Sequence, residues 1–234
     1  MRFAMHKEHH MHQGVRLTPR ELLSITDIGA EGLKSMRRRD NIAIAFGGDD
    51  VVASKMYTPI DAVALLLSST LARTYGAGTA ASLVRAFANV LLVVVAEAEA
   101  STVETPISVV EFRDDDDRRA FLVCGGDAMG ELAKSPATQG YRLEAITTVN
   151  ISGIIAKVRT SAARLGLNLG AAFVPPADSV AFAEMMQSYD WGVFVEEKAL
   201  KKRDRAARKI GVEVRALAMG GRVVSESRKA PLAA

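Results

Sequence analysis

Hydrophobic positions in the first hundred residues follow helical spacing, and two helix starts share one grammar. Leu17-Thr18-Pro19-Arg20-Glu21 supplies a hydroxyl as N-cap, a proline at the first helical position where its missing N–H costs nothing, and an acid placed for a capping box. Tyr57-Thr58-Pro59-Ile60-Asp61 repeats it, with Asp61 meeting the positive end of the helix dipole. After the first start, Leu22 and Leu23 form the apolar face of a short helix, Gly29 punctuates, and a second short helix is expected over about 30–39. After the second, Val63, Leu66, Leu67, Thr70, Leu71 and Tyr75 make a buried stripe that Gly76 and Gly78 end. A longer helix is expected from about Thr79, carrying Leu83, Phe87, Val90 and Val94 at spacings of four and three, flanked by Ala86, Leu91 and Val95. That seam suits packing along another long helix, at a junction of lobes or between two copies; an ordinary core helix is the alternative.

Strand-like runs fill the gaps. Residues 42–46 and 51–56 read as a hairpin around Gly47-Gly48-Asp49-Asp50. Residues 107–112 and 120–124 read as a second pair, joined by Arg113, the aspartates Asp114, Asp115, Asp116 and Asp117, then Arg118 and Arg119. Residues 141–149 read as a further strand, and Asn150 caps a helix whose stripe is Ile151, Ile154, Ile155, Val158, Ala162 and Leu165. A hinge or cover is expected over 166–176 and another helix over 178–189. Aromatic bulk from Tyr189, Trp191 and Phe194 precedes a charged helix over 196–209, and a mobile end follows from Met219. The first sixteen residues, holding all four histidines, read as a flexible start.

The resulting fold class is α+β: an N-terminal winged helix-turn-helix with a helical extension, a small mixed strand/helix lobe, and a basic C-terminal helix. The expected divisions are 1–16 flexible, 17–58 winged helix-turn-helix, 59–100 helical linker or dimerisation region, 101–190 second domain, and 191–234 basic segment.

Charge distribution informs more than the total. The net charge is only +3, yet residues 1–58 carry +2, residues 59–189 carry −4 and residues 190–234 carry +5. Both basic ends suit a phosphate backbone. In the helix over 30–39, Leu33 and Met36 form a docking strip while Lys34, Arg37 and Arg38 fall on the opposite side, the arrangement a groove-reading helix needs; a solvated face beside a core strip is the alternative. Expected DNA contacts are Thr18, Arg20, Lys34, Arg37, Arg38, Arg39 and Lys55, and expected dimerisation residues are Leu83, Phe87, Val90 and Val94.

Residues 17–99, about a third of the chain, resemble the DNA-binding domain of MerR-like regulators: a short helix-turn-helix and wing followed by a helical pair that opens on an aspartate-containing turn and bends at glycine. The second helix, Ser35-Met36-Arg37-Arg38-Arg39, lacks the family's usual aromatic, and no long C-terminal coiled coil follows. The resemblance implies a sequence-specific duplex-DNA-binding transcriptional regulator acting as a homodimer, in contact with transcription machinery or another protein, in the cytoplasm at the nucleoid. A protein-interaction adaptor on the same fold is the second reading, and a divalent-metal-dependent nuclease using Asp114–Asp117, Asp127, Glu131 and Glu144 the third.

Other chemistry is sparse. Cys124 is the only cysteine, which excludes an intramolecular disulfide and a cysteine-rich metal centre. Gly125-Gly126-Asp127-Ala128-Met129-Gly130 has no Gly-Lys-Ser/Thr ending of a phosphate loop. With every histidine in the first twelve residues, the body lacks a histidine base or ligand, so an enzyme, a cofactor and a metal are not expected. No apolar run is long enough to span a bilayer, so no membrane partner is expected.

Overall fold

The computed structural model describes residues 15–38, 57–125, 134, 138–169, 192–197, 214–217 and 223–226. Both repeated starts form. Thr18 caps α1 (Pro19–Thr26): its Oγ1 accepts from Glu21 N at 3.3 Å, and the Glu21 carboxylate accepts from Thr18 N at 2.7 Å. After α2 (Ala30–Arg38), Thr58 and Asp61 reproduce this box at 3.3 and 2.8 Å at the head of α3 (Pro59–Tyr75). The residues just before the two boxes pair as an antiparallel bridge, with Leu17 N donating to Tyr57 O at 2.7 Å and Tyr57 N to Leu17 O at 2.8 Å. Two helices forty residues apart in sequence therefore begin side by side.

The sequence marks one apolar stripe on α3, but every residue from Pro59 to Ser68 is buried, so this helix is the central rod of the molecule. It ends at Gly76, whose φ of 78° lies in the region an L side chain avoids. Gly78 does not end it; it lies within α4 (Ala77–Ala86).

The long helix expected from Thr79 is broken. Phe87, at φ −108° and ψ 25°, separates α4 from α5 (Ala88–Ala100), and the axes turn by 75°. Neither proline nor glycine stands at the break. The turn instead lets α4 lie on α3 while α5 reaches the sheet, burying apolar surface that one straight helix would expose. Among the described residues no single helix is long and apolar enough to cross a membrane.

The strands β1 (Pro106–Asp114), β2 (Arg119–Gly125), β3 (Tyr141–Asn150), β4 (Gly192–Glu196), β5 (Val214–Leu217) and β6 (Val223–Glu226) form an antiparallel sheet in the order β3-β1-β2-β4-β5-β6. β1 and β2 are buried on both faces, which explains their nearly unbroken apolar runs. β4 lies where the sequence reads only aromatic bulk, and β6 pairs within the stretch expected to be a mobile end. Gly125 sits under α5 so closely that a Cβ there would collide with Val94 Cγ2.

One core unites the helices and the sheet. Leu17, Leu22 and Ile25 belong to the same buried cluster as Leu67, Leu83, Val109, Phe121 and Val158 of α6 (Ile151–Arg164). Removing a leucine of this kind from water contributes about 1.5–3 kcal/mol. The cluster runs through residues 17–58, 59–100 and 101–190 alike, and a second cluster of Val110, Phe112, Ala120, Leu122, Cys124 and Phe194 belongs to the sheet alone. The fold is α+β, with the described helices packed against an antiparallel sheet.

Candidate nucleic-acid interface

The two short N-terminal helices meet through a three-residue turn, Asp27-Ile28-Gly29. Asp27 takes φ 55° and closes α1, and Leu33 N donates to Gly29 O as α2 begins. A turn of this length is what joins the helices of a helix-turn-helix. α1 turns Leu22, Ile25 and Thr26 inward; α2 anchors through Leu33, 5% exposed, and leaves Glu31 and Lys34 outside.

The expected contact residues separate into three groups. Arg20 and Lys34 are exposed, Lys34 in a 3.6 Å pair with Glu31 so solvated that it is worth about 0–1 kcal/mol. Arg37 and Arg38 lie on the helical backbone of α2, and their side chains fall outside the described residues, as do Arg39, Lys55 and the hairpin expected over 42–56. Thr18 is committed elsewhere: its hydroxyl donates to Glu21 Oε2 at 2.8 Å within the capping box. Those hydrogen bonds hold the Glu21 carboxyl below its ordinary range.

The expected dimer seam is spent inside the chain. Leu83, Phe87 and Val94 are at most 1% exposed and belong to its own core, so pairing through them would require opening that core. The side chain of Val90 lies outside the described residues.

The aspartate tract forms the β1–β2 turn. Asp114 accepts from the backbone N–H groups of Asp116 and Arg118 and from Arg118 Nε at 2.7 Å; against partial desolvation, these bonds hold its carboxyl below the usual range. Arg113 pairs with Asp117 at 2.7 Å. Beside this turn, register aligns Arg142, Arg113 and Arg119 across three strands. Opposed like charges are unfavourable unless compensated, and here Glu144, Asp117 and Glu111 each hold one arginine at 2.7 Å. No group of three metal-ligating side chains occurs among the described residues. The basic helix expected over 196–209, the loop over 126–130 and the helix over 178–189 lie outside them, except for Glu196, which ends β4, and Glu197.

Tyr75, the last residue of α3, donates to Thr147 Oγ1 at 2.8 Å and packs edge-on against Phe121, tying the helix that starts beside Leu17 to the sheet. Burial raises its phenol above the ordinary range, and raises the Cys124 thiol to about 11, which makes that cysteine inert. A recess of about 610 Å³ at the end of α6, lined by Arg159, Ala163, Gly166, Leu167, Asn168 and Leu169, is open and holds no acid–base pair.

Four exposed cations stand outside the expected contact set: Arg16 before α1, Arg73 near the end of α3, and Lys157 and Arg164 on the polar side of α6. Their signal was available as cations at positions opposite a buried stripe. Comparison with known proteins finds no matching family model, no matching curated protein and no matching solved structure.

Proposed function

We propose that this chain is a sequence-specific duplex-DNA-binding regulator that reads DNA with α2 in a winged helix-turn-helix. The observation that carries the proposal is the closed unit at the N-terminus: a helix pair with a three-residue turn, whose chain returns to pair Tyr57 with Leu17. The hairpin expected over 42–56 belongs to the stretch between these two paired ends. α2 buries Leu33 and offers Lys34 outward, with Arg37 and Arg38 next in its sequence, while Arg20 stands exposed on α1. Cations in that setting neutralise phosphates and reach base edges.

The test uses the full chain, because its core joins the helix pair to the sheet. Repeated selection of bound duplexes from a random pool is expected to enrich one short motif. Recovery of unenriched sequence, with tight capture of a protein partner instead, would replace the regulator by an adaptor.

A further inference from the structure

The outer face of α6 carries charge that the core packing does not use. Ile151, Ile155, Val158 and Ala162 turn inward, so Gly153, Lys157, Thr160 and Arg164 lie along the exposed side. The helix contains no acid at all. Arg159 is drawn sideways to Glu99 of α5, but Lys157 and Arg164 have no partner among the described residues. Glu104 precedes Thr105, which bonds the first turn of α6, and so sits at the far end from Arg164. An all-cationic face is unusual within residues 59–189, which carry ten basic and fourteen acidic side chains.

Position makes this face relevant to the N-terminal unit. α1 and α6 pack on each other, and both pack on the buried α3. Arg20 lies on the outer side of α1. Lys157 and Arg164 are seven residues apart, so they span about 10 Å along the helix axis. A duplex presents roughly six phosphate charges over that length. Gly153, Ala156, Thr160 and Ala163, exposed around the cations, are small, while Arg159 between them is held by Glu99.

Resting on the regulator reading above, we infer that the outer face of α6 is a second contact for duplex DNA, with Lys157 and Arg164 binding the phosphate backbone beside the site read by α2. The occupant is a polyanionic strand because charge complementarity is the only recognition this face offers. It adds affinity without adding sequence preference.

The test compares wild type, Lys157→Ala/Arg164→Ala and Arg142→Ala on the selected duplex, by fluorescence anisotropy across a salt series. Arg142 is an exposed cation on the edge strand already paired with Glu144, and serves as the control. Loss of both α6 cations is expected to lower affinity about tenfold, to reduce the slope of log K against log salt by about 2, and to leave the selected motif unchanged. The Arg142 variant is expected to match wild type. Equal folding of the variants is checked by thermal melting. Wild-type binding with an unchanged slope in the double variant would overturn this inference alone, and assign the face to another anionic partner. Absence of duplex binding by wild type would overturn the regulator reading and this inference together.

Discussion

The two capping boxes are a natural experiment in what a local motif is worth. Thr18 with Glu21 and Thr58 with Asp61 share residue order, a proline at the first helical position and hydrogen bonds matched to within 0.1 Å. The first lies at the surface, whereas Asp61 is fully buried at the head of a helix enclosed by the core. In the first box water can replace a lost bond. In the second, removing one partner strands polar groups that water cannot reach, so the same bonds weigh more.

Replacement of the bridge residue beside the buried box has the largest expected effect. Tyr57→Ala empties a site only 1% exposed, and a loss of about 3–5 kcal/mol is expected in denaturant unfolding of the full chain. A loss below 1 kcal/mol would mean that the two starts are not held together by this packing. Next come the acids themselves. Asp61→Ala is expected to cost about 2–3 kcal/mol by the same method, against about 0.5–1 kcal/mol for Glu21→Ala. Equal costs would break the comparison and assign all the worth of each box to its local hydrogen bonds.

Acid titration has the smallest effect and isolates the surface box. Because the folded Glu21 carboxyl is held below its ordinary range, its stabilisation is complete above the unfolded value near about pH 4.3. It is lost as pH falls through the lowered folded value. The stability gap between wild type and Glu21→Gln is therefore expected to close on acidification below about pH 4. A gap that stays constant through this range would show that the carboxylate charge contributes nothing.

Local grammar was legible in the sequence wherever a few neighbouring residues decide the structure. Both caps, the helix begun by Asn150 and the aspartate turn appear where spacing and side-chain chemistry put them. Features decided by distant surfaces were not legible. The run from Leu83 to Val94 keeps helical spacing across the break at Phe87, because periodicity does not record that one half must meet α3 and the other the sheet. Leu165 fits the period of the α6 stripe but stands 44% exposed, since the helix ends one residue earlier. The Leu17–Tyr57 bridge spans forty residues, and only the repeated Thr-Pro grammar hinted that its ends belong together. At the candidate interface, Arg20 and Lys34 were readable as outward cations, while Thr18 fits both a cap and a phosphate contact by residue type. Its geometry commits it to the cap.

The most direct test of DNA reading by α2 is an equilibrium titration of the full chain with its selected duplex, for wild type and for Lys34→Ala/Arg37→Ala/Arg38→Ala, at two salt concentrations. The account predicts affinity reduced by about a hundredfold or more, a shallower salt dependence, and loss of discrimination against mismatched duplexes. A triple variant that binds the selected duplex with wild-type affinity and the same discrimination would contradict it.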